Sequence, residues 1–153
     1  MSIALMDTSV FCNVIDVPGR NQERDQVLSA LEGHIKAKAN LLLPMAAVVE
    51  TGNHIAKTKL VDGQTRRKAA QRFRDSVLKA VDGETPWTPT PFWDLIELRT
   101  WLGDFPDQAM KGVGMGDLSI LKEWERQCEL HRLRRVLIWS LDGDLQGYDR
   151  KAK

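Results

Sequence analysis

Four acidic residues recur in one kind of place along this chain. Asp7 directly follows the apolar run Ile3-Ala4-Leu5-Met6. Glu50 lies two turns into the segment after Leu41-Leu42-Leu43. Asp117 opens an amphipathic stretch, and Asp142 follows Val136-Leu137-Ile138-Trp139, with Asp144 two residues on. Gathered without compensation they repel: one pair of charges at ~4 Å costs about 4 kcal/mol at an effective dielectric of ~20. A hard divalent cation offsets that cost. An all-oxygen donor set, with His and Cys scarce beside it, points to Mg²⁺ or Mn²⁺ rather than zinc. Each acid also has an ordinary structural alternative. Asp117 suits a helix N-cap, Asp142-Gly143-Asp144 a turn, and Glu50 a solvated helix face. Asp7 is hardest to explain that way, because it ends a buried strand. The coincidence of the four carries the reading.

The elements that must position them follow from apolar spacing. Residues 3–6, 41–43 and 136–139 read as fully buried strands. Val10, Phe11, Val14 and Ile15 predict a short helix that Pro18-Gly19 ends. Val27, Leu28, Leu31 and Ile35 predict a helix over 21–39, closed at or just before Asn40. Pro44 suits the first turn of a helix running from Met45 to Ile55 and carrying Glu50 and His54. Phe73, Val77 and Val81 mark a helix over 63–81, ended by Gly83. Residues 84–90 read as a short extended piece or loop. Thr90-Pro91 resembles an N-cap and first helical proline, leading to Leu95, Leu98 and Leu102. Gly103, Pro106, Gly112, Gly114 and Gly116 predict a loop over 103–116, and Asp117 then opens another helix. Alternation of this kind predicts an α/β fold: one domain over 1–153, with a parallel sheet covered by helices on both faces. Ligands of open α/β sheets lie beyond the carboxyl ends of the strands, which is where the four acids fall.

Met6-Asp7-Thr8-Ser9-Val10 resembles the opening motif of PIN-domain proteins. Val48-Val49-Glu50-Thr51 and Gly116-Asp117-Leu118-Ser119-Ile120 resemble their second and third acidic motifs. Ser140-Leu141-Asp142-Gly143-Asp144-Leu145 resembles the last, with Ser140 where Thr is commoner and Leu145 where an aromatic is usual. The resemblance spans residues 3–145. It implies a three-layer α/β/α sandwich with a small central parallel sheet, and a metal-dependent nuclease acting on RNA. Many such proteins are toxins of toxin–antitoxin pairs, so an antitoxin protein and a homodimer are implied partners. Asp7, Asp117 and Asp142 would hold Mg²⁺ or Mn²⁺, with Glu50 completing the cluster or orienting the attacking water. Of the two turn acids, the spacing from Ser140 favours Asp142 over Asp144. Ser9 and Ser140 would hydrogen-bond carboxylates, and Asn13, one turn past Ser9, could reach the site. In-line attack would leave a 5′-phosphate and a 3′-hydroxyl. The rival reading is a catalytically silent PIN-like module that binds RNA or protein. A phosphatase with Asp7 as nucleophile is disfavoured, since Asp7-Thr8-Ser9 lacks a second Asp two residues on.

Lys57, Lys59, Arg66, Arg67, Lys68, Arg72, Arg74 and Lys79 face only Asp62 and Asp75, a local excess of +6. Arg66, Arg67, Lys68, Arg72 and Arg74 are therefore the candidate RNA contacts, against the alternatives of a solvated helix face or a dock for an acidic partner. His54, four residues past Glu50, shares its helix face. Trp87, Trp93 and Trp101 suit core or partner packing better than base stacking. Gly112-x-Gly114-x-Gly116 lacks the Lys-Ser/Thr of a phosphate loop and serves to place Asp117.

Composition narrows the field. The 153 residues are 42% hydrophobic and 28% charged, ordinary for a globular domain and unlike a disordered chain. A net charge of +1 announces no nucleic-acid binder, so any such footprint is local. Cys12 and Cys128 form no metal motif and read as reduced core residues. No apolar run approaches a membrane span, and the apolar start stops at Asp7, too short for a signal peptide. The expectation is a cytoplasmic protein.

Overall fold

The computed structural model describes residues 1–153. Five strands form one sheet: β1 (Ile3–Met6), β2 (Asn40–Leu43), β3 (Trp87–Pro89), β4 (Val136–Trp139) and β5 (Asp149–Arg150). Their order is β3-β2-β1-β4-β5. The first four are parallel, and β5 runs antiparallel to β4 at the edge. Seven helices connect them: α1 (Thr8–Val14), α2 (Arg24–Lys36), α3 (Met45–Lys57), α4 (Gly63–Val81), α5 (Leu95–Met110), α6 (Met115–Leu130) and α7 (Gly143–Gln146).

Every residue of β1 is buried, as a central parallel strand requires. Alternate side chains feed two cores. Ala4, Met6, Leu41 and Leu43 join Phe11, Val27, Ile55 and Ala69 from α1–α4 on one face. Ile3, Leu5 and Val136 meet Trp124 and Cys128 of α6 on the other, beside a cluster of Ile120, Leu121, Ile138 and Leu145. Helices therefore cover both faces. No helix is long and apolar enough to cross a membrane.

From β1 the chain builds toward β2 and β3, then returns to place β4 on the other side of β1. That reversal puts a crevice at the carboxyl ends of β1 and β4, the usual ligand position in such sheets.

Several boundaries differ from the sequence reading. Of the two expected ends of α2, the residues just before Asn40 are the ones that close it, with Lys38 at φ 55° turning the chain; Asn40 itself begins β2. Thr90 is no N-cap: its N–H bonds Leu43 O and prolongs the β2–β3 pairing. The cap of α5 is Asp94, which with Glu97 forms a reciprocal capping box. The predicted loop over 103–116 is helical as far as Met110, with Pro106 inside the helix. Pro106 removes one helical hydrogen bond in a helix that has no fully buried residue. Gly112, at φ 79°, supplies the turn into α6. β5, two residues long, carried no periodic signal. The Arg135–Asp149 pair ties it to β4, and Arg150 donates to the carbonyls of Cys128, His131 and Arg134.

Candidate active site

Asp7 is where β1 ends and α1 begins, with extended backbone (φ −77°, ψ 165°) and a side chain that does not cap the helix. Its N–H bonds Trp139 O, which locks it to the end of β4. The residue is only 4% exposed. Asp7 Oδ2 accepts hydrogen bonds from Ser9 Oγ at 2.9 Å and Ser140 Oγ at 2.8 Å. These hydroxyls also accept: Ser9 Oγ from Leu141 N at 3.0 Å, and Ser140 Oγ from Asp142 N at 2.9 Å. One network thus orients the Asp7 carboxylate and the turn that carries Asp142.

Glu50 projects from α3. Its Oε2 accepts from Thr8 Oγ1 at 2.8 Å, and its carboxylate lies against Gly116. Asp117 is the third residue of α6, not its cap, which is Gly114. Asp142 caps α7 by accepting from Asp144 N at 3.0 Å. Asp7, Glu50, Asp117 and Asp142 line one cleft of about 650 Å³, together with Thr8, Ser9 and Asn13. Asp144 is not among its walls. Asn13 gives its amide to the backbone: Nδ2 donates to Ser9 O and Oδ1 accepts from Glu23 N.

Burial, and then the charges of Asp7, Glu50, Asp142 and Asp144, push the Asp117 carboxyl up to about 6. Repulsion among the four acids is therefore felt at one of them. No three acidic, His or Cys side chains stand preformed as ligands around a single point. Unneutralised carboxylates resist closer approach. The donor set is nonetheless all oxygen and buried at its base. Gly116 leaves the space that Glu50 fills, which suits a hard cation.

Three basic residues share the same cleft. Arg20, His54 and Lys57 line it, and none of their side chains has a hydrogen-bond or ion-pair partner. Burial, and then Arg20 and Lys57, hold the His54 imidazole below its ordinary value against the pull of Glu50, so it is neutral at pH 7. Arg20 was missed by sequence reasoning: one cation after Pro18-Gly19 belongs to no pattern. None of Arg66, Arg67, Lys68, Arg72 and Arg74 lines the cleft. Arg66 donates to Thr58 O, Arg72 to Ile15 O and Asp16 O, and Arg74 pairs with Asp75. Arg66 and Arg67 border a separate, mostly apolar groove between α3 and α4. Of the tryptophans, Trp87 is buried edge-on to Phe11, and Trp93 packs on Trp101.

Gly116 tests the arrangement. A Cβ there would collide with the Glu50 carboxylate, the mobile end of a flexible side chain. Gly116→Ala is expected to displace Glu50 while leaving the fold intact, since Ala favours a helix by about 1 kcal/mol over Gly. Mn²⁺ affinity, read by calorimetry, is expected to fall about 10- to 100-fold with no loss of melting temperature. Unchanged affinity would mean that the position of Glu50 does not matter to cation binding.

The chain matches no protein-family model, no curated protein and no solved structure.

Proposed function

We propose that this chain is a cytoplasmic, divalent-metal-dependent endoribonuclease with a PIN-like three-layer fold. The observation that carries the reading is the placing of Asp7, Glu50, Asp117 and Asp142 in one cleft at the strand ends where the sheet reverses direction. Asp7, Asp117 and Asp142 would hold Mg²⁺ or Mn²⁺. When bound, the ion supplies charge neutralisation on the phosphodiester and a water of lowered pKa.

The protein's own groups have separable tasks. Ser9 and Ser140 keep Asp7 in one rotamer with its second oxygen free toward the cleft. Thr8 holds Glu50 Oε2, which leaves Oε1 to orient the attacking water or take its proton. Below about pH 6 a proton on Asp117 would compete with the cation. The toxin role in a toxin–antitoxin pair belongs to the same proposal. Exposed Phe92, Leu95, Ile96 and Leu102 support a partner surface, for an antitoxin or a second copy.

The test is cleavage of 5′-labelled structured and unstructured RNA with Mg²⁺, Mn²⁺ or EDTA, beside calorimetric metal titration of the same sample. Cleavage that needs the metal and leaves 5′-phosphate ends is the expected result. Absence of both metal binding and cleavage would overturn the enzyme reading and leave a silent binding module.

A further inference from the structure

The acids are not the only charges of the cleft. It is also lined by cations that pair with none of them. Arg20 and Lys57 line the same cavity as four carboxylates, yet neither pairs with any of them or with a backbone carbonyl. Neighbouring arginines behave otherwise: Arg24, Arg66 and Arg72 are each tied to carbonyl oxygens. Arg20 and Lys57 are exposed charges at a cavity wall.

Helix α3 sets the spacing. Glu50, His54 and Lys57 stand at i, i+4 and i+7, along one face that the cleft exposes. At 1.5 Å per residue, Lys57 lies about 10 Å beyond Glu50 along the axis. It sits in the last turn, where a cation is favoured by the helix dipole. Lys57 thus stands about two turns of helix past the acid that would face the reacting phosphate.

We infer that Arg20 and Lys57 form a phosphate subsite, which grips a backbone phosphate of the RNA other than the one hydrolysed. The identity of the polymer rests on the nuclease reading; the cationic subsite rests on the cleft itself. A polynucleotide offers one phosphate to the acids with their cation and another to Arg20 and Lys57, so the preferred substrate is an oligomer with a phosphate flanking the scissile bond. His54, neutral and partnerless in the same wall, offers a hydrogen-bond donor to that flanking nucleotide.

The test is anisotropy of a 5′-fluorescent 12-mer oligoribonucleotide in EDTA at increasing KCl. It compares the unsubstituted protein, Arg20→Ala/Lys57→Ala, and Arg99→Ala/Arg132→Ala. The last pair removes the same charge outside the cleft. Each phosphate contact to a single strand contributes about 0.7 to the slope of log affinity against log salt. The cleft pair is expected to lower that slope by about 1.4 and to weaken binding at least about tenfold. The outside pair should leave the slope in place. An equal change in both pairs, or none in the cleft pair, overturns the subsite. Failure of the unsubstituted protein to bind RNA overturns it too, and leaves an acidic protein segment as the occupant. Incubating the same oligomer with Mn²⁺ separates the two readings. Uncleaved RNA with the slope change intact refutes the nuclease and keeps the subsite; cleaved RNA with no slope change does the reverse.

Discussion

Asp7→Asn is expected to reduce metal-dependent RNA cleavage by about 1000-fold, roughly 4 kcal/mol of transition-state stabilisation. The asparagine carbonyl can still accept from Ser9 and Ser140, so the network joining β1 to β4 persists. What disappears is the negative charge at the base of the cleft. Mn²⁺ affinity, read by calorimetry, should fall at least about tenfold. The melting temperature should hold or rise, because one repelling carboxylate has gone. Asp7→Ala makes an informative contrast. It leaves the buried Ser140 hydroxyl and the half-buried Ser9 hydroxyl without their acceptor, a loss of about 2 kcal/mol in stability. Equal damage to activity with opposite effects on melting would assign Asp7 to chemistry. Asp7→Asn retaining a tenth or more of the rate would remove this carboxylate from the mechanism.

The second large effect is on stability and its pH dependence. Burial, then Asp7, Glu50, Asp142 and Asp144, raise the folded-state pKa of Asp117 to about 6, above the ordinary carboxylate value of 3.8. The folded chain therefore holds this proton more tightly than the unfolded chain. The stabilising contribution is complete below pH ~3.8 and is lost as pH rises through ~6. At pH 7.5 the metal-free protein carries an unfavourable charge that Asp117→Asn removes. After allowance for solvent screening at a half-exposed group, the gain is about 1 kcal/mol, or roughly 3 °C in a domain of this size. It should shrink toward zero near pH 4. Mn²⁺ is expected to invert the order at pH 7.5, by raising the melting temperature of the unsubstituted protein far more than that of the variant. The stabilisation by Mn²⁺ should itself grow from pH 5 to pH 8, because the proton on Asp117 competes with the cation. Differential scanning calorimetry at four pH values, with Mn²⁺ or EDTA, measures all of this. A variant no more stable than its parent in EDTA at pH 7.5 would show that the acids do not strain the metal-free fold.

The two effects have one origin. Four carboxylates gathered at the reversal of the sheet lack counter-charges, and Arg20 and Lys57 in the same cleft have no ion-pair partner. A cation with a phosphorylated polymer would satisfy both.

Much of this was legible in the chain. The runs Ile3–Met6 and Val136–Trp139 are short, continuous and apolar because each strand is covered on both faces, and that pattern survives without knowledge of the partners. Acids placed just after such runs must emerge at the carboxyl edge of a parallel sheet. Position along the strand alone thus places Asp7 and Asp142 at that edge. Other features depend on residues distant in sequence. Nothing local says that Gly116 must lack a side chain; the reason is Glu50, on another helix. Nothing local distinguishes Arg20 from any exposed arginine, or removes Arg66–Arg74 from the cleft, because charge density along a helix carries no information about which way that helix faces. The helix through Pro106 escaped for a related reason. The pattern of Gly and Pro argues for a loop, but a capping box at Asp94 and packing of α5 on α6 outweigh it. Hydrophobic period and turn chemistry are properties of neighbours along the chain, so the sequence by itself determined the alternation of strands and helices and the edge at which the acids gather. That Arg20 and Lys57 share the cleft of the four acids was decided only by tertiary structure, which sets the distances between elements that share no local signal.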